Sequence, residues 1–493
     1  MKRSGRKSAP PEIGWQPRRR REAALKDVNE RLAKAPQDIE GRFDRARLLT
    51  ELGQAAEAKQ AYLDLLALAP THFGALNNLG ALLHATGFRT GARTCYAEAV
   101  ARHPHNPSGH VNFANALFAD NQGASARLQY QTALSLAPEQ PEAHQGLANL
   151  LHDQGDFAAA DRHRRRGFQD RAVTTLAYRG RNKPISVLLL VSAAGGNIPI
   201  RPYLDDRTFQ VTVIVAEFFD PADPLPPHQL VVNSIGDADL CRAALDVAAD
   251  LVARSDAPVI NPPRAVMATS RIANALRLRT VPGVVTPVMA SLRREVLAAP
   301  DAFDVLAAHG IAAPFLLRTP GYHNGRNFFR VDDTAGLTAA LAALPGDEIT
   351  AIQFLDARRA DGTIAKFRVM IIDGRIFPLH AAISHHWKIH YASAEMADHP
   401  DHQAEDSAFL DNMPAVLGPT AIKALAHVRD SLGLDYAGVD FSLNAAGDVL
   451  LFEANATMVV PGAEPHDHAA YRRAPVERIA EAIRRMLIER ATR

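Results

Sequence analysis

The sequence predicts a multidomain protein in which an all-α helical repeat solenoid is followed by a parallel α/β layer and then by an α+β module. Three observations carry that reading. Pro36, Pro70, Pro104 and Pro138 recur every 34 residues. After Lys183, short apolar strands begin to alternate with Gly-rich turns and helical stretches. Near the far end, GVDFSLNAAGDVLLFEANATMVVPG reads as two apolar strands around a turn, yet it ends in an acid and an amide.

The solenoid rests on three further ladders in the proline register. They are Ala58, Ala92, Ala126 and Ala160; Tyr62, Tyr96 and Tyr130; and Gly53, Gly87 and Gly155, with the intervening glycine slipped to Gly123. A repeating helix pair explains them: a small Ala where two helices cross, a Tyr beside it, a Gly in the turn and a Pro ending the second helix. This placement resembles the tetratricopeptide (TPR) repeat over residues 37–167, with a partial leading helix, and gives a repeat domain at 22–170. The last unit loses its Tyr and Pro and turns basic at DRHRRR, as a solenoid ending in water requires. The resemblance implies a concave face that binds an extended peptide or a partner protein. Residues 1–21, basic and Pro-containing, are expected to form a disordered tail.

From Pro184 the elements change. PISVLLLV, FQVTVIV and LVVN read as buried strands, a helical stretch spans 239–254, and APVIN follows as another strand, so 184–290 is predicted to be a parallel α/β layer. Ala194-Gly195-Gly196-Asn197 is not a GxGxxG fingerprint. Strands, hairpins and helices mix over 291–493, which close with the amphipathic RIAEAIRRMLIER.

Composition narrows the function classes. Fifty-five Lys plus Arg against 54 Asp plus Glu give no overall field that would favour nucleic acid or a membrane surface. The two cysteines, Cys95 and Cys241, form no CxxC pair, which fits a reducing, cytoplasmic setting. No apolar run is long enough to span a bilayer, so a soluble protein is expected.

In the terminal hairpin, strict alternation puts Val449, Leu451, Glu453 and Asn455 on one face, with Asp440 on the opposite strand. Hard divalent cations such as Mg²⁺ take one or two carboxylates plus oxygens of phosphate and water. Asp440, Glu453 and Asn455 supply that inventory at the edge of an otherwise apolar surface.

The spacing of Asp440, Glu453 and Asn455 within DFSLNAAGDVLLFEAN resembles the ATP-grasp superfamily, over residues 184–493. The resemblance implies an α/β pre-grasp layer at 184–290 and an ATP-grasp fold at 291–493, with Mg²⁺ or Mn²⁺ held by Asp440, Glu453 and Asn455. It further implies that Arg271 and Arg318 bind ATP where the family usually has lysines, and that a hairpin around Gly321 and Gly325 covers the phosphates. Gln353, Phe354, Leu355 and Asp356 would line the adenine and ribose site, while Lys366 and Arg368 face phosphate or acyl phosphate. Position 438 is Gly where dipeptide-forming members carry an oxyanion-stabilising arginine. Lys388 or Arg375 would then supply the charge.

Residues 380–402 hold six histidines, with His466 and His468 beyond. Their spacing matches no standard zinc pattern, and a substrate-facing loop with Trp387 is the expectation. The chain is thus expected to be an ATP- and Mg²⁺-dependent ligase that forms a carbon–nitrogen bond through an acyl phosphate. Its substrate would be a peptide or protein recruited by the repeats, with a homodimer as a family-level expectation. Two other classes stay open: an interaction protein with a non-catalytic nucleotide site, and a phosphotransferase.

Overall fold

The computed structural model describes residues 16–322, 325–389, 394, 396–460 and 467–492. The chain forms two compact units. One comprises Met1–Gln169, Thr175–Ser186 and Asp205–Val211; the other comprises Asp170–Thr174, Val187–Leu204 and Thr212–Arg493.

The first unit is a TPR-like helical repeat solenoid. Its helices are α1 (Gln16–Lys34), α2 (Ile39–Glu51), α3 (Ala55–Leu68), α4 (Phe73–Ala85), α5 (Arg89–Arg102), α6 (Pro107–Ala119), α7 (Gly123–Leu136), α8 (Pro141–Asp153) and α9 (Phe157–Phe168). Helix α1 begins inside the segment expected to be a disordered tail. Ala58, Ala92, Ala126 and Ala160 are completely buried, as are Ala46 and Ala114 on the facing helices. Small residues there let the helix axes approach. Tyr96 fills the space over Gly80, where an added Cβ would stand 2.7 Å from its ring, and Tyr130 fills the space over Gly146. Pro36, Pro70, Pro104 and Pro138 each follow two residues after a helix, where a missing N–H costs nothing.

The glycine ladder differs from expectation at one rung. Gly53, Gly87 and Gly155 have φ of 74°, 87° and 82°, and the residue in register between them is Asn121, at φ 58°. Gly123 instead opens α7. Asparagine tolerates the left-handed region, so the turn keeps its shape while its residue changes.

After the helical repeats the chain forms three sheets. The first has the order β1-β3-β2-β4-β5, made of β1 (Val173–Thr175), β2 (Ile185–Val191), β3 (Phe209–Val215), β4 (Leu230–Asn233) and β5 (Val259–Ile260). Strands β2, β4 and β5 run parallel, as the near-continuous apolar runs predict. The helix after β4 spans Arg242–Val252, shorter than expected, because Asp237 accepts from the N–H groups of Asp239 and Leu240 in a preceding turn.

The other two sheets are largely antiparallel. One has the order β7-β10-β8-β9, formed by β7 (Met289–Arg293), β8 (Phe315–Arg318), β9 (Phe328–Val331) and β10 (Glu348–Gln353). The other has the order β12-β11-β13-β14-β6, formed by β6 (Val284–Val285), β11 (Ile364–Ile372), β12 (Arg375–Ser384), β13 (Tyr436–Leu443) and β14 (Val449–Asn455). Asn261, in a left-handed turn after β5, is fully buried and clamps β13 through Asp435 and Tyr436. Among the described residues no helix is long and apolar enough to cross a membrane.

Candidate functional site

The terminal hairpin is where simple alternation fails. Phe441 pairs with Leu451 but Asp440 pairs with Glu453, so Phe452 is an extra residue on β14. That bulge turns the following residues over. Leu451 and Val449 share a face with Phe441 and Leu443, whereas Glu453 and Asn455 share the opposite face with Asp440 and Gly438. The single face expected for Val449, Leu451, Glu453 and Asn455 is therefore corrected: the polar end lies on the other side of the sheet from the apolar stripe.

A second irregularity falls at the neighbouring row. Strands β11 and β12 shift register between Arg368 and Val369, next to the pair Arg368–His380. His380, Arg368, Asp440 and Glu453 then stand opposite one another across four adjacent strands. Two bulges bracket one polar row, the device by which sheets re-aim side chains beside functional sites.

Charge in this row is closely matched. Arg368 donates Nε to Asp440 Oδ1 at 2.5 Å and Nη2 to Oδ2 at 2.7 Å, and Lys366 Nζ lies 2.6 Å from Oδ2. Burial alone would push the Asp440 carboxyl up, but Lys366 and Arg368 together hold it far below the usual carboxylate range. Glu453 Oε1 accepts from Arg271 Nη2 at 2.5 Å and from Asn455 Nδ2 at 2.6 Å, while Asn455 Oδ1 accepts from Thr457 N and Oγ1. His380 is buried opposite Arg368, and burial together with Arg368 and Arg472 drives its pKa well down.

Arg318 differs from these. It is 9% exposed at the end of β8, and its one hydrogen-bond partner among the described residues is the Tyr322 carbonyl, bonded by Nη2. Its Nε is buried without a partner. Burial, then the neighbouring Arg271, lowers its pKa to about 10. A desolvated cation without a bonded carboxylate is costly, and an anion supplied from outside would relieve it.

Arg271, Arg318, Lys366, Arg368, Asp440, Glu453, Asn455 and Thr457 open onto one cavity of about 420 Å³, whereas His380 does not reach it. Among the described residues, Arg271, Arg318, Arg326, Lys366, Arg368 and Lys388 line it against the carboxylates of Asp440 and Glu453. The remaining wall includes Pro287, Met289, Leu316, Ile352, Phe354 and Leu355. A strongly cationic surface joined to an apolar slot suits a polyanion attached to a flat, apolar-faced group. At one side Trp387 packs edge-on against Phe328 and Phe354, with ring centroids 5.5 and 6.4 Å away, and Lys388 Nζ donates to the Phe328 carbonyl at 3.3 Å.

The cavity gathers nearly every residue singled out from sequence: Arg271, Arg318, Gly325, Gln353, Phe354, Leu355, Lys366, Arg368, Lys388, Asp440, Glu453 and Asn455. Three do not reach it. Asp356 turns outward into a bidentate pair with Arg358, because β10 ends three residues earlier, at Gln353. Arg375 lies at the exposed start of β12, over the Phe377 ring. Gly321 adopts φ 80° in the turn after β8 but is not part of the wall. His323 and Asn324, between the two hairpin glycines, lie outside the described residues, as do His390 and His466.

The histidine-rich stretch is divided among different environments. His380 is in a strand, His385 and His386 are exposed, and His399, at the N-cap of the helix Pro400–Asp411, stacks on His402 in its first turn with ring centroids 4.7 Å apart. Among the described residues no group of three His, Cys, Asp or Glu side chains is arranged to hold a metal ion. Sequence reasoning missed Arg326, Met458 and the Gly196–Asn197 turn, all in the cavity wall. The glycine pair in AAGGN was the one available signal for that turn.

No family model matches the chain, and no curated protein matches it. Solved structures of helical repeat proteins do show similarity. MamA (residues 41 to the end) from Desulfovibrio magneticus RS-1 is 26% identical, with 29% of this chain and 83% of that one covered at a TM-score of 0.28. A thermophilic TPR protein of Thermus thermophilus is 22% identical over 30% of this chain and 82% of its own, at 0.27. PilF of Pseudomonas aeruginosa is 19% identical over 31% and 70%, at 0.29. The solenoid itself is established by the helix pairs and ladders described above.

Proposed function

We propose that the cavity binds Mg²⁺–ATP and that the protein is an ATP-grasp-type ligase joining a carboxylate to an amine through an acyl phosphate. The observation that carries the reading is Arg318, a buried cation with no carboxylate bonded to it among the described residues, beside Arg271 in a cavity whose described wall has six cations against two carboxylates. A triphosphate would neutralise that excess, and the slot of Met289, Leu316, Ile352 and Leu355 would take the base.

The donor set fits a hard divalent cation in kind. Asp440 and Glu453 offer carboxylate oxygens and Asn455 an amide oxygen on one face. They would hold Mg²⁺ together with phosphate oxygens. When bound, the metal would neutralise charge at the phosphates. Arg271 and Arg318 would grip phosphate oxygens, and their planar forks suit bidentate contact better than lysine would. Lys366 and Arg368, already held on Asp440, would face the γ-phosphoryl group and stabilise its charge as it transfers.

The carboxylate oxygen attacks the γ-phosphorus, the bond to the β,γ-bridging oxygen breaks, and ADP leaves. The amine then attacks the acyl carbon, the carbon–oxygen bond breaks, phosphate departs, and the amine's proton passes to solvent or phosphate. Packing of Trp387 and Lys388 against Phe328 would limit water's access to the acyl phosphate. The helical repeats would recruit the peptide or protein that carries one reacting group.

The test is incubation with ATP, Mg²⁺ and candidate carboxylate–amine pairs, following ADP, phosphate and product mass. ADP with free phosphate and a condensed product supports the ligase. A stable phosphorylated product would instead make the protein a phosphotransferase, and binding without turnover a nucleotide-gated interaction protein. Arg318→Met should weaken ATP binding at least about tenfold by calorimetry while raising the melting temperature without ATP, since it removes a buried charge; unchanged affinity overturns the assignment. Recruitment by the repeats predicts a higher kcat/KM for a peptide than for its isolated reacting residue.

A further inference from the structure

We propose that Met458 sets substrate specificity, and that the carboxylate substrate carries an uncharged apolar side group packed against it; this rests on the ligase reading above. Gly438 and Asp440 share one face of β13, paired with Met370 and Arg368 respectively. Gly438 therefore sits one row from the charged residues. A Cβ at that position would stand 2.5 Å from Met458 Cβ and Cγ and 3.2 Å from Met370 Sδ.

Gly438 is not among the glycines with positive φ, so backbone freedom does not explain it. Its role is to admit the Met458 side chain. Met458 is 5% exposed, and its carbonyl accepts from the buried Tyr436 hydroxyl at 2.7 Å, which fixes the backbone that carries the thioether. It lines the cavity with Val459 and Ile389. The cations of the adjoining polar row are already paired: Lys366 and Arg368 with Asp440, and Arg271 with Glu453.

A substrate whose carboxylate reaches Lys366 and Arg368 would thus lay its adjoining group on hydrocarbon and sulfur. A second carboxylate there would lose its hydration against apolar atoms. An apolar group would gain from burial, and one well-packed methylene is enough for about tenfold discrimination.

The experiment uses the full-length protein with ATP, Mg²⁺ and hydroxylamine. Hydroxylamine attacks the acyl carbon of an acyl phosphate, the carbon–oxygen bond breaks, phosphate leaves and a hydroxamate forms, so no knowledge of the natural amine is needed. N-acetyl-leucine should give a hydroxamate kcat/KM at least about tenfold above N-acetyl-glutamate. Met458→Leu should keep that ratio, and Met458→Lys should shift it at least about tenfold toward glutamate. Preference for N-acetyl-glutamate in the wild type, or a ratio unmoved by Met458→Lys, overturns the proposal.

Binding of the same two acids, measured by calorimetry with Mg²⁺ and a non-hydrolysable ATP analogue, separates the two levels. Selective binding of N-acetyl-leucine that Met458→Lys abolishes, without any hydroxamate, keeps the apolar subsite and removes the ligase reading. Equal binding of both acids removes the subsite whatever the turnover. Retained affinity for the ATP analogue shows that each variant is folded.

Discussion

The repeat unit and the cavity-bearing unit use the same packing device in opposite circumstances. In the repeats, Gly80 admits the ring of Tyr96 and Gly146 admits the ring of Tyr130; in the other unit Gly438 admits the side chain of Met458. Repetition makes the first kind readable, because the period fixes which positions recur together. The second kind occurs once and links residues twenty positions apart through a sheet and the segment after it. The lesson is that a small residue signals close packing in both units, but only the periodic unit says against what.

Substituting the most charge-dependent residue should break the comparison most strongly. Asp440→Asn leaves the partly buried Arg368 and Lys366 with their shared countercharge gone; loss of a fully buried partner typically costs about 3–5 kcal/mol, and partial exposure places this change toward the lower end. ADP formation with any substrate pair should fall by at least about a hundredfold, since the oriented cations and a proposed metal ligand are lost together. Ala126→Gly, at an equally buried site in a repeat helix, should cost only about 1 kcal/mol. Urea denaturation and an ADP-release assay check both. Equal costs at the two sites would mean that the ion pairs in the row contribute little to holding the sheet.

Next in size is the Gly438 pair. Gly438→Ala forces a methyl group against Met458, and overpacking of this kind costs about 1–3 kcal/mol. Combining it with Met458→Ala should recover much of that loss beyond what the two single changes predict when added. Strict additivity in thermal or urea unfolding would show that Gly438 and Met458 are not coupled.

A subtler difference concerns protons. His144 Nε2 lies 2.9 Å from the Pro138 carbonyl and must donate to it, so in neutral His144 the Nδ1 accepts, and His163 Nδ1–H donates to it across 2.7 Å. Burial, then His144, Arg166 and Arg162, lowers the pKa of His163. Its folded value lies below the ordinary 6.5, so its contribution is fully present above pH 6.5 and is lost as pH falls through the folded value. One repeat earlier the same contact is His110 with Gln129, which carries no titratable partner. His163→Gln should therefore flatten the acid sensitivity of α9, read as amide exchange of α9 at pH 7.5 and pH 5. Persistent sensitivity would move the titration elsewhere.

How much was legible beforehand follows the same division. The four ladders located the helix pairs, their crossings and their turns, because each position is specified several times over. In the cavity-bearing unit, residue chemistry singled out Asp440, Glu453 and Asn455, the family resemblance added Arg271, Arg318, Lys366 and Arg368, and all seven line one cavity. The face that Glu453 and Asn455 occupy was not legible, because it depends on the bulge at Phe452, an apolar residue that looks like any other in the strand. Asp356 was misplaced for a related reason: strand periodicity does not say where a strand ends, and its neighbour Arg358 offered a closer countercharge than the cavity did.

The smallest expected effect tests the glycine ladder at its irregular rung. Asn121 holds φ 58° where Gly53, Gly87 and Gly155 hold the corresponding turns, and a side chain in the left-handed region is strained relative to glycine. Asn121→Gly should stabilise the repeat unit by a few tenths to about 1 kcal/mol. The reverse change, Gly87→Asn, should cost a similar amount, because a Cβ added at Gly87 meets nothing within 4 Å and backbone conformation alone is altered. Measured by urea unfolding, changes of opposite sign and similar size would show that the turn is set by its backbone angle, with glycine as one of two residues able to adopt it. A destabilised Asn121→Gly would instead assign the Asn121 side chain a contact that the repeat pattern does not reveal.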